Sequence, residues 1–380
     1  MGRDYYIFSN GRIKRKENTI YFEDFEGNKK GLPIEDIERL HIFGEVDLNT
    51  KFLNYISRYS VLISIYNYYG FYSGSYYSKK KNVSGVLLVN QALAYDNYEF
   101  RVAIAKTLID SAMHHILRNL RRYKEKTSEF VKVIENERKI MKEAKTIEDV
   151  MGAEGRARKK YYESYNAFLK NDFHFNKREK KPPNDPINAL ISFGNSMMYT
   201  TVLGEIYKTQ LDPTISYLHE PSTKRFSLSL DLAEIFKPLI VDSVIFNMIN
   251  KGMIKKSDFD IDEGICYLNE NGRKKFIKEY ENKLSVDIQW GEFMFVILTY
   301  DVGEKRVNRV RKILKKYLIW TQNSVFEGKI TEAKLHKCLS EINKDFIKDE
   351  DSLYIYRVKN PNNLEKDIIG FEKNCDDLFL

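Results

Sequence analysis

The hydrophobic pattern changes period twice along the chain, and that alone requires more than one kind of domain. Residues 1 to about 85 carry short aromatic and β-branched runs, YYIFS, NTIYFEDF, ERLHIFG and VLISIYNYYGFYSGSYY, divided by turn pairs such as Asn10-Gly11 and Gly27-Asn28. Such runs read as strands. From about Tyr95 the spacing becomes helical, with Phe100, Ile104, Leu108, Ala112 and Ile116 at every fourth position. After Gln289 the pattern begins afresh: residues 295–300 form a buried-strand run, and Val307, Val310, Ile313, Leu314 and Tyr317 stripe a helix. Further strands near 319–326 and 353–358, around a helix over 332–347, give the order of a split βαβ unit. The expected fold is α+β and multidomain. It has a β-rich domain over 1–88, an all-α domain over 89–289, a linker at 290–293 and a ferredoxin-like βαββαβ domain over 294–380.

Composition narrows the class further. A hydrophobic content of 43% suffices for real cores, and the net charge of +8 suits nucleic acid, an anionic surface or nothing specific. Cys266, Cys338 and Cys375 are odd in number and far apart, without a CxxC pair. That argues for a reducing compartment and against a disulfide framework or a thiolate metal site. The polar N-terminus MGRDYYIFSNGRIKRK is no signal peptide, and no run approaches the roughly 18 apolar residues of a membrane span. A cytoplasmic protein with no membrane partner is expected.

Chemistry concentrates in residues 217–238, YLHEPSTKRFSLSLDLAEIFKP. Ser227 is the expected helix N-cap, and Asp231 and Glu234, three apart, share a helix face. Their like charges destabilise the helix unless a cation lies between them, and His219 in the preceding turn can supply a nitrogen to that cation. Imidazole with carboxylates suits Mg²⁺ or Mn²⁺ better than structural zinc. The plainer reading is a structural histidine beside a solvated acidic face, and this stretch alone leaves both open.

Other stretches carry weaker signals. Glu154, Arg158, Tyr161 and Tyr165 fall on one face of a predicted helix over 147–168, where Glu154 with Arg158 also reads as an ordinary helix salt bridge. Arg118, Arg121, Arg122 and Lys124 end the preceding helix and serve either phosphate contact or the helix dipole. Residues 173–199 form a basic, proline-broken loop containing Arg178, then a helix starting at Pro186 with Asp185 as N-cap. The six tyrosines between Tyr66 and Tyr77, followed by Lys79, Lys80 and Lys81, read first as an aromatic strand pair with a solvated tip. Stacking on DNA is the alternative. His114 and His115 have no carboxylate at ligand spacing and read as structural.

Three stretches together, GAEGRARKKYY, PPNDPINALISFGNSMMYT and YLHEPSTKRFSLSLDLAEIFKPLIVD, resemble the CRISPR-associated integrase family, Cas-one, over roughly residues 1–285. The resemblance implies a β-rich dimerisation domain and a helical catalytic domain with a divalent-metal site. By position the implied ligands and catalytic residues are Glu154, His219 and Glu234, with Asp231 supporting or serving a second ion. The implied reaction is phosphoryl transfer: a DNA 3′-hydroxyl attacks a phosphodiester of the CRISPR repeat, inserting a spacer. Arg158, Lys224 and Arg225 then stand as phosphate-neutralising residues, with Arg118, Arg121, Arg122 and Arg178 as further DNA contacts.

The YDV, RKILKKYLIWTQNSVFEG and DSLYIY stretches resemble the small CRISPR-associated subunit Cas-two. That family dimerises and bridges integrase dimers across double-stranded DNA. Its strand-end acid corresponds to Asp301, read as structural or vestigial rather than as a nuclease metal ligand. The chain thus reads as a fusion, homo-oligomeric through its N-terminal and Cas-two-like domains and acting on prespacer and repeat DNA. The integrase part stops after FIKEYENKL, where that family continues with a further helical segment and a basic tail. A catalytically weak DNA scaffold, or a metal-dependent endonuclease on branched DNA, are the alternatives.

Overall fold

A computed structural model describes residues 2–79, 83–170, 173–179, 182–221, 226–286, 293–344, 346–347 and 350–358. The chain begins with β1 (Arg3–Ile7), β2 (Gly11–Lys16), β3 (Thr19–Asp24), β4 (Lys29–Pro33), β5 (Ile37–Ile42) and β6 (Val46–Asp47). Helix α1 (Thr50–Ile56), β7 (Leu62–Tyr66) and β8 (Tyr72–Tyr76) follow. Two four-stranded sheets result, ordered β1-β5-β7-β8 and β4-β3-β2-β6. Their apolar faces close on one core that includes Ile7, Ile13, Ile20, Leu40, Phe52 and Ile63. Gly27 takes φ +89° in the β3–β4 hairpin, a left-handed conformation that glycine adopts without steric cost. Asn10-Gly11 does not close a hairpin, because β1 and β2 lie in different sheets.

Helices begin earlier than the hydrophobic period indicates. Helix α2 (Gly85–Asp96) starts ten residues before Tyr95, its first turn capped by Ser84, which accepts from the Leu87 amide at 3.2 Å. Its apolar residues follow no stripe, and only Gln91 is buried, so periodicity gave no signal. Then come α3 (Tyr98–Arg121), α4 (Lys124–Glu143), α5 (Ile147–Glu163), the short α6 (Tyr165–Phe168) and α7 (Pro186–Lys208). Asp185 caps α7 by accepting from the Asn188 amide at 2.8 Å. Helix α7 is buried nearly all round, as a central helix must be. Next is α8 (Ser227–Phe236), which runs through a π-helical turn, Lys237–Asp242, into α9 (Ser243–Asn250). A small hairpin, β9 (Phe259–Asp262) with β10 (Ile265–Leu268), precedes α10 (Glu270–Val286). Ser227 is not the cap expected of it: Phe226 holds that position and the Ser227 hydroxyl donates to the Thr214 carbonyl at 2.8 Å, tying α8 to the preceding loop.

The last part is β11 (Phe293–Asp301), α11 (Glu304–Tyr317), β12 (Ile319–Gln322), β13 (Val325–Thr331), α12 (Glu332–Ile342) and β14 (Ser352–Val358). The sheet order β12-β13-β11-β14 is antiparallel throughout, the ferredoxin-like arrangement, over a core of Val296, Leu298, Val310, Leu314, Phe326 and Leu335.

Two compact units emerge. One joins the N-terminal sheets to the ferredoxin-like domain, and the other comprises the helices α2 to α10 together with Tyr69–Tyr72. Within the first unit, Lys315 Nζ lies 3.2 Å from Glu17, Lys337 Nζ lies 3.1 Å from Glu35, and Thr19 donates to the Lys315 carbonyl at 3.2 Å. No described helix is long and apolar enough to cross a membrane.

Candidate active site

In the helical unit, α5 is oriented by its apolar face: Ile147, Val150, Ala153, Ala157 and Tyr161 are buried. That registry leaves Glu154 and Arg158, one turn apart, turned together toward α8. Arg158 Nε donates to Glu154 Oε1 at 2.5 Å, and its Nη2 donates to Glu234 of α8. One guanidinium therefore spans two carboxylates that are 80 residues apart in sequence. Lys237 Nζ holds the other oxygen of Glu234 at 2.5 Å. Burial opposes ionisation of Glu234, but Lys237 and Arg158 outweigh it and hold the carboxyl down at about 2.

His219 is placed by Asp231, which is fully buried on α8. The Asp231 carboxylate accepts the amides of Tyr217 (2.6 Å), Leu218 (2.9 Å) and His219 (3.0 Å), and faces His219 Nδ1 at 2.8 Å. An ionised carboxylate only accepts, so Nδ1 carries the proton and the lone pair sits on Nε2. This is the carboxylate–histidine arrangement that orients an imidazole toward an ion. Asp231 thus ties the loop and the His219 ring to α8.

Several contributors gave no sequence signal. Arg101 of α3 donates to the Tyr217 carbonyl at 2.9 Å and to Glu220 at 2.6 Å, while Tyr95 donates to Glu220 at 2.7 Å. These bonds fix the His219 loop across more than 100 residues of sequence. Asp242, the last residue of the π-helical turn, is buried with one carboxyl oxygen lacking a described partner. Burial pushes its carboxyl up to about 6 despite the nearby Arg158 charge. Lys237 alone was legible, standing three residues after Glu234 as an i, i+3 ion pair.

The remaining predicted residues sit elsewhere. Arg178 is turned inward, donating to Asn188 Oδ1 at 2.8 Å and Ser192 Oγ at 3.0 Å, so it pins its loop to α7. Arg118, Arg121 and Arg122 are exposed at the end of α3, Arg121 paired with Glu135 at 2.8 Å. Lys224 and Arg225 lie outside the described residues. Asp301 is exposed at the end of β11, opposite Ser352 of β14.

Among the described residues no three His, Cys, Asp or Glu side chains converge closely enough to grip an ion as they stand. The Arg158 guanidinium occupies the space between two of the expected ligands. The donor set itself, one oriented imidazole nitrogen and two carboxylates, fits a hard divalent ion.

The family described as CRISPR associated protein Cas1 matches residues 5–282. The chain belongs to the Cas1 family. Its C-terminal part, residues 294–365, matches CRISPR associated protein Cas2, so Cas1 and Cas2 domains share one polypeptide. A protein of Clostridium perfringens named CRISPR-associated endonuclease Cas1 is 96% identical over 292 residues, covering 76% of this chain and 88% of that protein. One of the same kind from Thermodesulfovibrio yellowstonii is 58% identical over 287 residues, covering 76% and 88%. Among solved structures, a Cas1 protein from Thermotoga maritima aligns with TM-score 0.71 at 38% identity, covering 76% of this chain and 91% of its own. A casposase bound to integration product shares the fold at TM-score 0.64 and 21% identity, covering 74% and 82%.

Proposed function

We propose that the chain is a cytoplasmic, metal-dependent DNA integrase of CRISPR adaptation, with its DNA-bridging subunit attached. The observation that carries this reading is the Glu154–Arg158–Glu234 bridge beside a histidine oriented by a buried aspartate, in a Cas1 chain continuous with Cas2. His219 Nε2, Glu154 and Glu234 would hold a Mg²⁺ or Mn²⁺ ion. Bound there, such an ion lowers the pKa of an attacking hydroxyl and stabilises charge on the in-line phosphoryl transition state. The 3′-oxygen of the incoming strand forms a bond to the repeat phosphorus, and the bond to the repeat's own 3′-oxygen breaks, leaving a new 3′-hydroxyl.

The chain's own residues supply the rest. Asp231 keeps the His219 proton on Nδ1. Arg101 and Glu220 hold the loop that carries His219. Arg158 and Lys237 are the cations closest to the carboxylates and are placed to offset phosphate charge. Double-stranded DNA, both prespacer and repeat, is the substrate, and the Cas2 domain joins protomers around it as a homo-oligomer. Asp301 stands exposed at a strand end and is assigned no catalytic role.

A strand-transfer assay tests the reading, with a short duplex and a plasmid carrying leader and repeat. Joined product is the expected result. Cleavage without joining would identify a nuclease on branched DNA instead, and duplex binding alone would identify a scaffold.

A further inference from the structure

One side-chain amide ties together the two elements that carry the acids. Asn119 of α3, 4% exposed, donates from Nδ2 to the Pro238 carbonyl at 2.7 Å and to the Tyr161 hydroxyl at 3.2 Å. A carbonyl oxygen only accepts, so the atom facing Pro238 is the nitrogen, and both its N–H groups are used. Tyr161 is fully buried on α5, seven residues and about two turns after Glu154. Pro238 lies in the π-helical turn after α8, beside Lys237, whose Nζ holds Glu234 at 2.5 Å. That turn needs support from outside the helix. Pro238 has no N–H to give, and the Ser243 amide bonds the Ile240 carbonyl, three residues back. A one-residue slip to a plain α-helix would turn α8 by about 100° relative to α9 and carry Glu234 away from α5.

We propose that Asn119 is a positioning residue for strand transfer: its amide holds α5 and the turn after α8 in register against α3, and so sets Glu154 opposite Glu234. This rests on the function proposed above and adds a residue that acts on the site through Tyr161 and Pro238. Asparagine suits the role because one planar amide offers two donors in fixed directions. Leucine fills a similar space but strands the buried Pro238 carbonyl, which is costly without a donor. Arg158 also links the two acids, but its long side chain can follow a backbone shift that the short asparagine resists.

The test is strand joining by the full chain at saturating duplex, well below the unfolding temperature of each variant, beside amide hydrogen exchange. In Asn119→Leu, joining turnover should fall about tenfold or more with duplex affinity changed less than about twofold, since misplacing reacting groups by ~1 Å can cost about 100-fold. Exchange should quicken in residues 237–243 and in α5, and stay as in the wild type in the ferredoxin-like domain. Tyr161→Phe keeps the ring and the Pro238 bond, so it serves if the leucine variant does not fold, and its turnover should fall about threefold or more. The double variant should lose no more than Asn119→Leu alone, because the two side chains belong to one link. Turnover per folded chain equal to the wild type in both single variants, or losses that multiply in the double variant, would overturn the proposal and leave Asn119 a plain structural residue. A wild-type chain that joins no strands would overturn the function reading as well, a failure told apart because it appears before any substitution.

Discussion

Asp231 shows how much one buried side chain decides. It accepts three backbone amides and the His219 ring nitrogen, so Asp231→Asn replaces one of its two acceptor oxygens with an NH₂ group facing other donors. A stability loss of about 2 kcal/mol or more is expected from the stranded donors, read by chemical denaturation. Strand joining should fall about 10- to 100-fold, as for other partners that orient a metal-ligating histidine. Asp242 makes a prediction of opposite sign. Its folded carboxyl titrates at about 6, above the ordinary 3.8, so between those values the folded chain holds a proton that the unfolded chain has released. Stability contributed by this group is therefore present at low pH and is lost as pH rises through that window. Asp242→Asn should raise stability near pH 8 by up to about 3 kcal/mol and have little effect near pH 4. Equal effects at both values in urea denaturation would contradict this.

At the scale of elements, the site depends on α8 and its π-helical turn lying tight against α7. A Cβ added at Gly194 would sit 2.4 Å from a Val241 methyl and 2.8 Å from the Phe276 ring. Gly194→Ala should cost about 1–3 kcal/mol through overpacking, seen as a lowered Tm, and joining should weaken with it. Much of this level was legible in the sequence. Asp185 and Pro186 fixed the start of α7, and the i, i+4, i+7 spacing placed Glu154, Arg158 and Tyr161 on one face. What was not legible had physical reasons. Helix α2 hides because almost none of it is buried, so no apolar stripe marks it. The Arg101–Glu220 clamp hides because contacts between distant residues leave no periodic trace. Ser227 looked like a cap because serine usually serves as one, whereas here its hydroxyl is used by the Thr214 carbonyl.

Across the whole molecule, the Cas2 domain is not a free appendage. Its Lys315 and Lys337 pair with Glu17 and Glu35 of the N-terminal domain. Glu17→Lys should loosen this contact, with faster hydrogen exchange in the β2–β3 turn and α11 while the helical unit is unchanged. Unaltered exchange would show that the apolar and backbone contacts suffice. A single chain also fixes one Cas2 domain to each Cas1 domain, where separate subunits are free to combine in other ratios.

Under the proposed function, Glu154, His219 and Glu234 act as one centre for DNA strand transfer. The decisive measurement is strand joining by Glu154→Gln and His219→Ala, each normalised to duplex binding. Both variants should lose joining while binding the duplex nearly as well as the wild-type chain. Joining retained by either variant would rule out a shared centre.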